Sequence, residues 1–253
     1  MALETDDAIC LRCWDWSETS QTAWFFARRL GLVRSVAKGS KREHSRFSGG
    51  IEPLTRGEII VSTRKIERDP QALATLASWD LMEMFPAVRR NLSAFYAGHA
   101  MLDIIQHSLT DGDPHPALFD KLVTCCRMLS DLESTNDRAV LLLAWAALAE
   151  TGHAPELQRD VRSGREFEVG EPTYAFSPTL GGLTRDGDPG TPGPTWRVRA
   201  ETVVALRDTA RGGVAPGTEH VTIVRAASLI LMHFREVFSC DPGAVRAWLD
   251  RHR

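Results

Sequence analysis

The chain has 253 residues, 43% hydrophobic and 25% charged, with a formal net charge of −3. That length accommodates one large domain or two small ones with real apolar cores. The longest apolar run, near 139–149, is too short to span a bilayer, so no membrane segment is expected. The acidic start lacks the basic region of a signal peptide, and five cysteines (Cys10, Cys13, Cys125, Cys126, Cys240) show no framework spacing. A reducing, cytoplasmic setting is expected.

A negative total counts against a nucleic-acid binder, but its distribution does not. Residues 28–68 carry 11 Lys/Arg against 4 Asp/Glu, whereas 69–253 carry 18 against 24. Such asymmetry fits one basic face on an otherwise acidic protein; the competing explanation is a solvated edge that deters sheet aggregation.

Short strands are predicted over 8–14, 22–27, 32–37, 51–54 and 58–62, with Gly31 supplying a hairpin turn. Five short strands in about 65 residues suit a small closed barrel of the OB type. The barrel is therefore assigned to 1–70. Beyond Pro70 apolar residues recur at three- and four-residue steps, and helices are predicted over 71–85, 88–109, 117–133, 137–151, 199–211, 222–238 and 242–251. In 88–109 the apolar stripe is read as Leu92, Phe95, Tyr96, His99, Leu102 and Leu109; 137–151, apolar almost all round, is the central buried helix. Glycines and prolines over 158–197 mark a loop-rich insert in the helical domain, 71–253. The fold class is α+β.

The strongest site candidate follows the third strand. Lys38, Lys41, Arg42 and Arg46, beside Gly39 and several serines, form a loop suited to phosphate contact, with Arg34 leading into it. Trp14, Trp16 and Trp24 are candidates to stack bases. Trp16, next to a turn, is expected to be exposed, and Trp24, inside an apolar strand, to pack. His99, Asp103 and His107 have the four-residue spacing of ligands on one helical face, but His99 shares its stripe with Phe95 and Leu102, and a structural role is expected. Cys10 and Cys13 lie three apart on a strand, which places them on opposite faces. No phosphate-binding glycine loop or nucleophile elbow is present, and nothing supports an enzyme.

The order D-W-S-E-T-S at 15–20, an apolar strand, R-x-L-G-x-V-x-x-V-A-K-G-x-K-R at 28–42 and S-R-F at 45–47 resembles the amino-terminal domain of the bacterial recombination mediator family RecO. Asp113-Pro-His-Pro-Ala-Leu-Phe119, the stretch from Leu148 to Leu157 with Gly164, and F-S-x-x-x-G-G-L at 176–183 resemble later family segments in the same order. The resemblance implies an OB barrel, then an all-α domain carrying a zinc-type insert. It implies a non-catalytic role in RecF-pathway repair: binding single- and double-stranded DNA, annealing complementary strands and assisting RecA loading with RecR. It also implies a cytoplasmic, nucleoid-associated protein that contacts the acidic, Phe-ending tail of the single-stranded-DNA-binding protein. Arg127 and Arg138, on helices 117–149, are the candidate cations for that tail. Many members hold zinc through two cysteine pairs; the corresponding positions here are Asp160, Ser163, Arg185 and Asp188. None is cysteine, so no zinc is expected at the insert, no metal site or cofactor is expected anywhere in the chain, and the insert should be looser. The alternative is an interaction adaptor whose barrel has lost DNA binding.

Overall fold

A computed structural model describes residues 3–42, 46–48, 50–62, 72–167, 173–185 and 193–252. Strands β1 (Glu4–Asp15), β2 (Gln21–Ala27), β3 (Gly31–Ala37), β5 (Thr55–Ser62) and β6 (Ala74–Met84) form the barrel. Neighbours run antiparallel in the order β3-β2-β1-β5-β6, and a parallel β3–β6 pairing closes it. Short β4 (Phe47–Ser48) adds to β6. This is an OB-like barrel with helices after it, the α+β class expected.

The helix expected over 71–85 is instead strand β6. Opposite Ile60 and Val61 the register slips past Ala77, and opposite Arg56 and Gly57 it slips past Met82. The bulge at Ala77 advances the inward phase by one residue, so Ala74, Leu76 and Trp79 are buried in succession. The three-residue step from Leu76 to Trp79 imitates a helical period. The change from strand to helix therefore falls at about residue 85 and not at 70. The strand expected over 51–54 is also absent: this stretch is a loop whose Ile51 enters the barrel core while Leu54 plugs the helical core.

Gly57 has no room for a Cβ against the Asp80 carbonyl and the Trp79 ring, which fills the barrel centre. Adjacent residues of β1 and β2 point into different cores. Cys10 and Phe25 face the barrel interior, and Ile9 and Phe26 face the helices. Both faces are buried here because the helices over Leu92–Ser108 and Pro116–Met128 cover the outer one; Phe26 meets Phe119 edge-on at 5.6 Å.

The helical body comprises α1 (Ala87–Arg90), α2 (Leu92–Ser108), α3 (Pro116–Met128), α4 (Glu133–Glu150), α5 (Ala200–Ala210), α6 (His220–Val237) and α7 (Gly243–Arg251). Helix α4 is central, with Ala139, Val140, Leu141, Leu143, Ala144, Ala147 and Leu148 fully buried. Asn91 interrupts the helix expected over 88–109; extended, it accepts the Ala94 N–H as an N-cap. The buried face of α2 is Ala94, Ala97, Met101, Ile104 and Ile105, while Leu92 and Phe95 of the expected stripe are exposed. Leu102 of that stripe is buried as well, and the alanines mark where another helix packs closely.

The insert contains strands the glycine-rich composition concealed: β7 (Thr173–Ser177), flanked by β8 (Gly182–Thr184) and β9 (Trp196–Arg199). Phe176 stacks on Trp196 and meets His233 of α6, tying this sheet to the body. Asp188 and the rest of 186–192 lie outside the described residues.

Candidate nucleic-acid interface

Strand pairing builds a ladder on the outer face of β1–β3. Arg12 is opposite Trp24, which is opposite Arg34; one step along, Trp14 is opposite Thr22, which is opposite Val36. Residues two apart on a strand share a face, so Arg12, Trp14 and Trp16 form one row. Trp14 is 42% exposed and Trp16 63%, whereas Trp24 is half-buried beneath them. The guanidinium of Arg34 lies 4.4 Å from the Trp24 ring centroid, and that of Arg12 lies 6.0 Å away. Trp24 therefore belongs to the face and not to the barrel core, clamped between two cations and the edge of Trp14 at 5.3 Å.

Trp14, Trp16, Trp24, Arg29 and Arg34 line a groove of about 730 Å³. Its far wall is the loop 109–115, which runs alongside β3: Gly112 N–H donates to the Leu32 carbonyl at 3.1 Å. Gly31 allows this approach, since a Cβ would collide with the Asp113 backbone. Its φ of 69° is the left-handed turn conformation expected from the sequence.

At the end of the ladder the β1–β2 turn and the loop after β3 emerge side by side. Lys41 N–H donates to the Thr19 carbonyl, and Gly39 N–H to Ser20 Oγ. This gathers Trp16, Lys38 and Arg42 around a smaller hollow of about 340 Å³ with Ser17 and Thr19. Lys38 and Arg42 are exposed, with no ion pair among the described residues. The other loop cations are placed differently. Lys41 Nζ is 2.6 Å from Asp15, Arg34 Nε is 2.9 Å from Asp111, and Arg46, exposed, precedes β4 beside β6 and lines neither hollow. Of the six residues expected to meet DNA, the fold unites Trp16, Lys38 and Arg42, sets Arg34 along the same groove, and turns Lys41 back to the barrel. Arg12 and Asp111 were missed. The alternation Arg12-Trp14-Trp16 could have revealed the first; the second enters only through tertiary packing.

The two partner-site cations also have internal contacts. Arg127 makes a bidentate pair with Glu83 at 2.8 Å, lining a 350 Å³ pocket with Met84, Phe85, Pro86 and Arg90. Arg138 donates to the Val214 carbonyl at 3.1 Å.

The remaining sequence candidates have structural geometry. Asp103 accepts from Arg12 at 3.1 Å and from the Ala244 N–H at 2.7 Å, pinning β1 and α7 to α2. His107 Nδ1 donates to the Asp103 carbonyl, and His99, its pKa lowered by burial, packs on Phe95. The expectation for Cys10 and Cys13 fails in geometry. A bulge at Leu11 returns Cys13 to the Cys10 side, and both meet the barrel core. Burial pushes the Cys10 thiol well up and that of Cys13 to about 11, so neither is a ready thiolate ligand.

Asp160, at the first of the lost cysteine positions, is buried. Its Oδ1 accepts the N–H groups of Arg162 and Ser163 at 2.9 and 2.8 Å, and its Oδ2 that of Arg185 at 3.0 Å. Burial pushes this carboxyl up, but the N–H groups of Ser163, Arg162 and Arg185 outweigh it and hold the pKa below the usual range. One carboxylate thus joins the two turns that the cysteine pairs would have occupied.

Residues 1–85 match the family model for the recombination protein O N terminal, and 89–199 that for its C terminal. The chain is 30% identical over 210 residues to the DNA repair protein RecO of Anaeromyxobacter dehalogenans, covering 82% of this chain and 79% of that one. The chain belongs to the RecO family. It is also 29% identical to RecO of Rhodopirellula baltica over 70% of this chain, and 26% identical to that of Heliobacterium modesticaldum over 98%. The match spans 63% of the Rhodopirellula protein's length and 89% of the Heliobacterium protein's. Among the described residues no helix is long and apolar enough to cross a membrane.

Proposed function

We propose that this chain is a non-catalytic, cytoplasmic mediator of recombinational DNA repair that binds DNA on the outer face of β1–β3. The observation that supports it most is the meeting of exposed Trp16 with Lys38 and Arg42, cations without an ion pair among the described residues, at one end of a tryptophan-lined groove. Indoles accept any base by stacking, and cations beside them neutralise phosphates by releasing counterions, so binding is independent of sequence. A surface that holds bases without hydrogen-bond readout serves annealing of complementary strands and, with RecR, loading of RecA. For the acidic tail of the single-stranded-DNA-binding protein we favour the Arg127 pocket over Arg138, because Arg90 and Met84 add a cation and apolar wall.

The adaptor reading keeps one observation in its favour: Arg34 and Lys41 are already neutralised by Asp111 and Asp15. Anisotropy of a labelled single strand across a salt series separates the two. For a mediator, Lys38→Ala/Arg42→Ala flattens the log–log salt slope by about 1.4, at about 0.7 per cation on a single strand. A slope identical to wild type places DNA elsewhere and leaves the adaptor.

A further inference from the structure

We propose that Glu133, Asp137, His220 and His252 form a binding site for one first-row divalent cation, zinc or a chemically similar ion, that fastens α7 to α4 and α6. The cluster stands apart from the barrel and from the insert, and neither the family nor the DNA-binding reading accounts for it.

Asp137 sits in the first turns of α4 with its side chain 1% exposed. Its Oδ1 accepts the Trp248 indole N–H at 3.0 Å. Its Oδ2 faces two imidazoles at once, with His220 Nε2 at 2.8 Å and His252 Nε2 at 3.1 Å. The His252 tautomer is fixed by its other nitrogen. Nδ1 lies 2.9 Å from the Trp248 carbonyl, which can only accept, so Nδ1 bears the hydrogen. The Nε2 of a neutral His252 ring is then a lone pair aimed at a carboxylate oxygen. In a buried site that contact needs a proton or a metal ion between the two atoms, and the approach of a second imidazole and a second carboxylate to the same place favours the metal ion.

Glu133 completes the set from one turn earlier on α4. Ligand atoms of Glu133, Asp137 and His252 all lie within 4.8 Å of one another. Arg251 reaches Glu133 through Nε and Nη2, both on Oε1, which among the described residues leaves Oε2 for another partner. Zinc bonds of about 2.0–2.1 Å set tetrahedral donors about 3.3 Å apart, so small adjustments bring these three donors round one ion, and His220, close to Asp137 Oδ2 but outside that set, turns in as the fourth. Two imidazoles and two carboxylates, without a thiolate, suit a borderline divalent ion. Trp248 serves as the orienting outer partner, holding Asp137 through its indole and His252 through its carbonyl. His220, 42% exposed, provides the entry side. The ligands join the starts of α4 and α6 to the end of α7, so the ion would act on stability.

The test uses the untagged chain, stripped with a chelator and titrated with Zn²⁺ by calorimetry and with Co²⁺ by visible absorption. The expected result is one equivalent bound, cobalt d–d bands without a thiolate charge-transfer band, and a melting temperature raised by roughly 5–10 °C at a hundredfold excess over Kd. His252→Gln and Glu133→Gln should each weaken binding at least ~10-fold. Should His252→Gln not fold, Glu133→Gln, on a more exposed side chain, decides. No uptake by the wild type would overturn the site in favour of a protonated His–Asp cluster. A thiolate band, or affinity unchanged in the variants, would overturn it by assigning the metal elsewhere.

Discussion

On the β5–β6 side of the barrel Arg56 is largely buried between Asp7, 2.9 Å from its Nε, and Glu83, which Arg127 grips in turn. On the β1–β3 side Lys38 and Arg42 are exposed and make no ion pair among the described residues, with Trp16 beside them. The residue types are the same and the physics is opposite. A cation enclosed by carboxylates has already exchanged its hydration for protein contacts and contributes to stability. A cation left in water beside an exposed indole contributes almost nothing to folding and is available to phosphate. Counting basic residues does not distinguish the two; asking what each one touches does.

The sharpest way to break this contrast is to remove the exposed set. Trp16→Ala/Lys38→Ala/Arg42→Ala should weaken single-strand affinity about 100-fold, since each stacked base is worth ~1–3 kcal/mol and two counterion-releasing contacts are lost. Its urea midpoint should stay at the wild-type value. Arg56→Ala should do the reverse. Leaving Asp7 and Glu83 facing each other costs about 2 kcal/mol of stability in a denaturant titration, with DNA affinity unchanged once the protein is folded. If both variants lost affinity and stability together, the two sides would be one cooperative surface and the distinction would fall.

Acid sharpens the contrast by a smaller step. The Arg127 contact, helped by Arg56 and opposed by burial, holds the Glu83 carboxyl below its ordinary value. A carboxyl lowered by folding gives stability that is complete above its unfolded value, about 4.3, and is lost as pH falls through the folded one. The urea midpoint should therefore drop over that interval, and Glu83→Gln should lower stability at neutral pH while removing part of the acid dependence. An unchanged acid dependence in Glu83→Gln would exclude this carboxylate as the titrating group.

Much of the geometry of the candidate interface was legible because β-strand chemistry is local. The period-2 run through Trp14 and Trp16, the turn at Gly31 and the cations after Val36 each act within a few residues, and pairing only had to set them side by side. What escaped depends on partners far along the chain. The bulge at Ala77 put Trp79 on the same inward face as Leu76 three residues before it, and such a slip exists only in the pairing with β5. The face of α2 was misjudged because Phe95 and Leu92 outweigh alanines by bulk, although the alanines pack. Asp160 reads in sequence as a lost cysteine and in the fold as a four-bond carboxylate anchor, counting the Thr184 hydroxyl at 3.4 Å. The cation cluster was beyond sequence reasoning: its histidines lie 83 and 115 residues from Asp137.

Arg34 stands between the two kinds of cation, and the least of the expected effects tests it. It stacks on Trp24 in the groove, yet its charge is met by Asp111 at 2.9 Å, with both side chains nearly half exposed. An exposed pair of this sort is worth only ~0.2–1 kcal/mol, and a phosphate competes for the same guanidinium. Asp111→Ala leaves Arg34 positioned by the indole and removes both its competitor and a repulsive charge on the groove wall. Single-strand affinity should rise a few-fold at low salt, and the gain should vanish as salt screens it, with stability nearly unchanged. A loss of affinity instead would show that Asp111 holds Arg34 in place for the strand, and that an ion pair and a binding cation can be the same residue.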